Sequence, residues 1–138
     1  MRIQIDVAPR HAPGILAGMV HTNLLEIREA HRNGRLTLGA FPVLSGIGAG
    51  RIIYVEADPS EDWKTWSKLQ QDGGGDCEDL VPAVAAELIW NKILTDVVAY
   101  QSGTSPDGSP LWHVVLRYRP RAGAAWVYGD PSRMAGMR

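Results

Sequence analysis

The sequence predicts an α+β fold, with helical patterns early in the chain, strand patterns late, and no regular alternation between them. Three observations lead there. Apolar residues recur at three- and four-residue spacing from Ile15 to His31, and again from Leu80 to about Trp90, which is the period of a buried helix face. Residues 94–101, 111–118 and 125–128 are short runs rich in Val, Leu, Trp and Tyr, the pattern of strands. The run SGTSPDGSP between the first two of these is an evident turn.

Taken in order, residues 2–7 (RIQIDV) alternate apolar and polar and read as a short strand, after which Pro9 and Pro13 break the chain. Ile15, Leu16, Met19, Val20, Leu24, Leu25 and Ile27 form the stripe of a first amphipathic helix, closed by Asn33-Gly34. Residues 35–50 are Gly-rich, contain Pro42, and are expected to be a loop with a short apolar insertion. Residues 51–56 (RIIYVE) read as a strand. Asp58-Pro59-Ser60 then opens a short helix with Ser60 as N-cap and Glu61 and Asp62 in its first turn, which puts Trp63 and Trp66 on one face. Beyond Gly73-Gly74-Gly75, the residues Leu80, Val81, Val84, Ala85, Leu88 and Ile89 make a strongly apolar helix. The strand 111–118 is apolar on both faces and is therefore expected at the centre of its sheet. No repeat and no internal linker interrupts the chain, so residues 1–138 are expected to form a single domain.

Composition narrows the function. The chain has 138 residues, 45% of them hydrophobic and 21% charged, an ordinary globular balance that needs no disulfide or metal to hold a core. A net charge of −1 gives no reason to expect nucleic acid or an anionic membrane as partner. No apolar run approaches the ~18 residues of a membrane-spanning helix, and MRIQIDVAPR has no apolar signal stretch, so an intracellular location is expected. There is one cysteine, which excludes an internal disulfide and a Cys-rich zinc site.

That cysteine, Cys77, stands where GGGD runs into the apolar helix. Backbone N–H groups and the positive end of a helix dipole stabilise a thiolate, and glycines let a substrate backbone come close. Asp76, Glu78 and Asp79 oppose the effect on the thiolate, so a catalytic thiol here also needs a base. His11, His21 and His31 show no ligand or catalytic spacing and read as surface or structural residues. His113 lies within LWHVVLRY, on the face of the strand shared by Leu111 and Val115. An imidazole there is either a hydrogen-bonded core histidine or one aimed at a partner. Asp130 follows the last strand. It can orient a histidine, and Asp130-Pro131-Ser132 is equally a turn tripeptide.

Together these residues carry a resemblance. GGGDCEDLVPAVAAEL resembles the cysteine motif of the transglutaminase-like superfamily, which shares the papain-like fold. WHVVLR resembles its histidine strand, and GDPSRMAGM resembles the aspartate strand and tail of small phage- and prophage-encoded members. The run YVEADPSEDWKTWSKLQQ is similar to the approach to the cysteine in those proteins, so the resemblance covers roughly residues 12–137. It implies a helix packed on an antiparallel sheet and a Cys77-His113-Asp130 triad. Cys77 would attack an amide carbonyl to give a thioester, His113 would move the proton, and Asp130 would hold the imidazole. It also implies an oxyanion donor beside the Cys77 N–H, with Gln71, at the papain-type spacing, and the indoles of Trp63 and Trp66 as candidates. The resemblance departs at Pro82, where members usually carry a helix former, and a kinked first turn is expected.

The activity implied is that of a cysteine peptidase or amidase. Transglutaminase-type cross-linking by a lysine amine and a non-catalytic binding or virion-assembly module of the same fold are the alternatives. The substrate class is protein or peptide, with phage structural proteins among the candidates and the host cytoplasm or the virion as location. No cofactor or metal is expected. There is no calcium-loop pattern, and Gly46-Ile47-Gly48-Ala49-Gly50 is not a nucleotide-binding loop. Arg117, Arg119 and Arg121 read as a solvated strand edge.

Overall fold

The computed structural model describes residues 2–4, 12–56 and 62–138. In chain order they form β1 (Arg2–Gln4), α1 (Ala12–Arg32), α2 (Pro42–Gly48), β2 (Ile53–Tyr54), β3 (Asp62–Lys64), α3 (Trp66–Asp72), β4 (Gly74–Gly75), α4 (Cys77–Trp90), β5 (Thr95–Thr104), β6 (Pro110–Tyr118), β7 (Val127–Gly129) and α5 (Pro131–Met134). The α+β expectation is borne out, with helices leading and an antiparallel sheet closing the chain.

Helix α4 is the centre. Every residue from Asp79 to Leu88 is buried, as befits a helix that is apolar all round. It packs between α1 and the sheet β5-β6-β7, with β6 in the middle as its two apolar faces predicted. Val97, Ala99, Val114 and Leu116 join the core with Leu80, Val81 and Val84 of α4 and Ile27 of α1. In the β5–β6 ladder Ala99 faces Val114 and Tyr100 faces His113, so neighbouring residues of β6 point to opposite sides of the sheet. Strand β7 pairs only with Leu116–Tyr118 and then turns into α5.

Several expectations are corrected. Pro13 lies inside the first turn of α1 and does not break the chain, since a proline near a helix start forfeits no hydrogen bond. Residues 5–7 of the first expected strand, Pro9, His11 and the Ser60 N-cap lie outside the described residues. The strand expected over residues 51–56 is only Ile53–Tyr54. The expected loop 35–50 holds helix α2, whose first N–H groups are capped from afar: Val43 and Leu44 donate to the Glu87 carboxylate at 2.7 and 3.0 Å. Trp63 and Trp66 do not share a helix. Trp63 is in β3, opposite Ile3 of β1, while α3 begins at Trp66. The start of α3 is held by α1, with the Trp66 N–H on Asn23 Oδ1 at 2.9 Å and the Ser67 N–H on Glu26 Oε1 at 3.0 Å. A one-dimensional pattern cannot show caps supplied by a different helix.

The three glycines also have a structural reason. Gly73 closes α3 at φ +72°, a left-handed conformation that suits glycine. Gly74 and Gly75 form β4, parallel to β2, and a Cβ on Gly75 would stand 2.7 Å from Asp79 Cβ. They are buried and let the chain approach itself, which leaves them no role as an open approach for substrate.

Candidate functional site

The site begins with a cap. Asp76 Oδ1 accepts the N–H groups of Glu78 and Asp79 at 3.0 and 3.2 Å, and Asp79 Oδ2 accepts the Asp76 N–H at 3.2 Å, a reciprocal capping box. The other Asp79 oxygen takes the Lys64 N–H of β3 at 2.7 Å. This box starts α4 at Cys77, and the helix runs unbroken to Trp90. Pro82 is therefore interior and fully buried; it leaves the Glu78 carbonyl without its usual helical donor.

The cap uses the first-turn N–H groups on both sides of Cys77 and leaves the Cys77 N–H against its own sulfur. The thiol is half-buried at the start of α4, the helix that packs on β5 and β6. Burial pushes the thiol up to about 12. The Val114 N–H opposes that rise, and the carboxylates of Asp76 and Glu78 add to it. The lowering expected from the helix start is thus overturned: desolvation outweighs the dipole, and the resting thiol is protonated.

His113 is buried, and its Nε2 lies 2.8 Å from Asp130 Oδ2. A carboxylate can only accept, so Nε2 donates in this contact, which leaves Nδ1 as the ring nitrogen able to take up a proton. Tyr100, across the ladder, packs edge-on to the imidazole with centroids 5.7 Å apart. Asp130 is also the N-cap of α5, its Oδ1 accepting the Arg133 N–H at 3.3 Å, while Arg133 Nε stands 3.4 Å from Oδ2. Asp130 thus caps the α5 turn with one oxygen and contacts the His113 ring with the other.

The three oxyanion candidates differ in burial and partners. Gln71 is exposed on α3. Trp63 is buried on β3, with an indole N–H that lacks a partner. Trp66 has its indole N–H committed to Glu87 Oε2 at 2.8 Å. The sequence reading missed Tyr54. Its N–H donates to Ala135 O at 2.9 Å, its Cα partner in β4 is Gly75, and its side chain packs against the core. Only the tertiary pairing of β2 with β4 and α5 brings it here; a lone Tyr in RIIYVE carries no such signal.

Of the remaining histidines, His21 is exposed and His31 packs on Trp90 at 5.6 Å, so both are structural or surface groups. Arg117 pairs with Asp96 at 2.9 Å, and Arg117 and Arg119 lie 4.4 and 4.7 Å over the Trp126 ring. Among the described residues no three His, Cys, Asp or Glu side chains group to hold a metal ion, and no helix is long and apolar enough to cross a membrane.

No protein-family model and no curated protein matches the chain. Two solved structures are similar to it. One is the periplasmic domain of TgpA from Pseudomonas aeruginosa bound to ethylmercury, with 20% identity and a TM-score of 0.49 over 88% of this chain and 45% of that one. The other is a proposed cysteine protease from Cytophaga hutchinsonii, with 13% identity and a TM-score of 0.47 over 94% of this chain and 44% of that one. The chain spans less than half the length of either. At such identities the likeness concerns the path of the chain and not its chemistry.

Proposed function

We propose that the protein is a thiol enzyme of transglutaminase-like type that acts on amide bonds of proteins or peptides, with Cys77 as nucleophile, His113 as base and Asp130 as its orienting partner. The observation that supports this most is the 2.8 Å contact from His113 Nε2 to Asp130 Oδ2, made on the strand that packs against α4, the helix Cys77 begins. Nucleophile, base and orienter thus come from α4, β6 and the start of α5.

Because the thiol is protonated at rest, attack and proton transfer are coupled. The sulfur bonds to the amide carbonyl carbon as its proton passes to His113 Nδ1, and Asp130 stabilises the imidazolium. The carbonyl oxygen takes the electron pair and meets the Cys77 N–H. The C–N bond then breaks, His113 returns the proton to the leaving amine, and a thioester remains on Cys77. Water activated by His113 releases the acid, which is peptidase or amidase chemistry; a primary amine in place of water gives transamidation. Hydrolysis is the simpler reading, since it needs no second binding site.

Acylation by p-nitrophenyl acetate, followed by p-nitrophenolate release and by the mass of the acetylated protein, tests the assignment. Acetylation confined to Cys77 and slowed at pH 7 by about 10²-fold or more in His113→Ala supports it. Equal rates in the wild type and His113→Ala would remove the base and with it the proposed mechanism.

A further inference from the structure

Acyl transfer to a thiol places a full charge on the carbonyl oxygen, and one backbone N–H is a weak answer to it. Around Cys77 the cap leaves only that one: the N–H groups of Glu78 and Asp79 are held by Asp76, and that of Leu80 by the Asp76 carbonyl. Two of the donors suggested by the sequence are otherwise engaged or exposed. Trp66 gives its indole N–H to Glu87, and Gln71 projects from the exposed side of α3. Trp63 keeps an unpartnered N–H, on a strand tied to α4 at Asp79 through the Lys64 N–H.

Tyr54 is tied to both arms of the site. In the β2–β4 ladder it stands opposite Gly75, just ahead of Cys77, and the Val55 N–H bonds the Gly75 carbonyl at 2.8 Å. On its other side the Tyr54 N–H bonds Ala135 at the end of α5, the helix that Asp130 begins. Its ring packs inward against the core that Cys77 also touches. Burial raises the pKa of the phenol most, and the neighbouring Cys77, Asp76 and Glu56 add to that rise in this order.

We propose that the Tyr54 hydroxyl is the side-chain donor that meets the oxyanion formed when Cys77 attacks a carbonyl, an inference that rests on the thiol-enzyme reading above. A phenol there donates one hydrogen bond that strengthens as the oxygen becomes anionic, and so it contributes to the transition state more than to the resting protein. It replaces Gln71, Trp63 and Trp66 in that role.

Two electrophiles isolate the effect. With p-nitrophenyl acetate the S–C bond forms through an oxyanion before p-nitrophenolate leaves; with iodoacetamide the sulfur displaces iodide from a saturated carbon and no oxyanion arises. Tyr54→Phe is expected to slow acetylation of Cys77 about 10- to 100-fold while iodoacetamide alkylation stays within about twofold of wild type, the melting temperature serving as a check on folding. Unchanged acetylation, or equal slowing of both reactions, overturns the proposal, the latter because Tyr54 would then act on the thiol itself. Failure of the triad reading shows up separately, as acetylation indifferent to His113→Ala, while the ratio of the two rates in Tyr54→Phe still reports on Tyr54.

Discussion

Asp130 holds His113 with one carboxylate oxygen and the start of α5 with the other: Oδ2 lies 2.8 Å from the His113 Nε2, and Oδ1 accepts the Arg133 N–H at 3.3 Å. Structure and proposed chemistry thus share a side chain, and a substitution can separate them. Serine is a good N-cap but is too short to reach the imidazole. Asp130→Ser is expected to keep the melting temperature within a few degrees of wild type while slowing acetylation of Cys77 by about 10²-fold or more. Differential scanning calorimetry and p-nitrophenolate release read the two effects independently, and an active Asp130→Ser protein would show that the contact serves α5 alone.

The state of the thiol gives a second test. Burial and the carboxylates of Asp76 and Glu78 hold Cys77 at about 12, so thiolate at pH 7 is on the order of 10³-fold scarcer than for an ordinary cysteine. Alkylation by iodoacetamide should rise with pH through 9 without reaching a plateau. Glu78→Gln removes a charge acting on the sulfur while leaving the Glu78 N–H in the cap, and it should speed alkylation at pH 8 severalfold. A wild-type plateau below pH 8 would mean a thiolate stabilised at rest and would contradict the coupled proton transfer described above.

Asp79 makes stability depend on pH. Burial, with the charge of Asp76 second, raises its carboxyl from the usual 3.8 to about 7. A raised acid binds a proton in the folded state that the unfolded chain has already released. Its contribution is therefore full below pH 4 and is lost as pH rises towards 7. Asp79→Asn cannot ionise and still offers an oxygen to the Lys64 N–H, so the difference in unfolding free energy should move in favour of the variant between pH 4 and 7 and level off above 8. Urea denaturation of both proteins across that range checks this, and parallel curves would count against it.

Much of this arrangement was legible in the sequence because it is local. The apolar period of α1 and α4, the apolar runs of β5 and β6, and the turn between them are set by neighbours a few residues apart. Cys77, His113 and Asp130 were singled out differently: each alone admits a structural reading, and their order along the chain with the resemblance of their segments brought them together. Three things were hidden because they depend on distant segments. Helix α2 carries Gly46 and Gly48, poor helix formers, and owes its start to Glu87. Trp63 joins β3 only because β1 pairs with it. Tyr54 reaches the site through β4 and α5. The thiol was misjudged on a different ground, since the sequence displays the helix start but not the degree of burial, and burial wins.

Glu87 tests that last kind of dependence directly. It is 2% exposed and accepts three donors: the Val43 and Leu44 N–H groups at 2.7 and 3.0 Å and the Trp66 indole at 2.8 Å. Burial raises its pKa, and the three hydrogen bonds oppose the rise. Removing the carboxylate strands all of those donors in the core, where each unsatisfied group costs about 1–3 kcal/mol. Glu87→Ala adds a cavity to that loss and should destabilise the protein by about 3–5 kcal/mol. Trp66→Phe strands no donor and leaves Glu87 with two of its partners, so its cost should be nearer 1–2 kcal/mol. Urea unfolding monitored by far-UV circular dichroism gives both values. A loss below about 1 kcal/mol for Glu87→Ala would show that α2 and α3 are held without this carboxylate, by apolar packing around Val43, Ile47 and Leu69 alone.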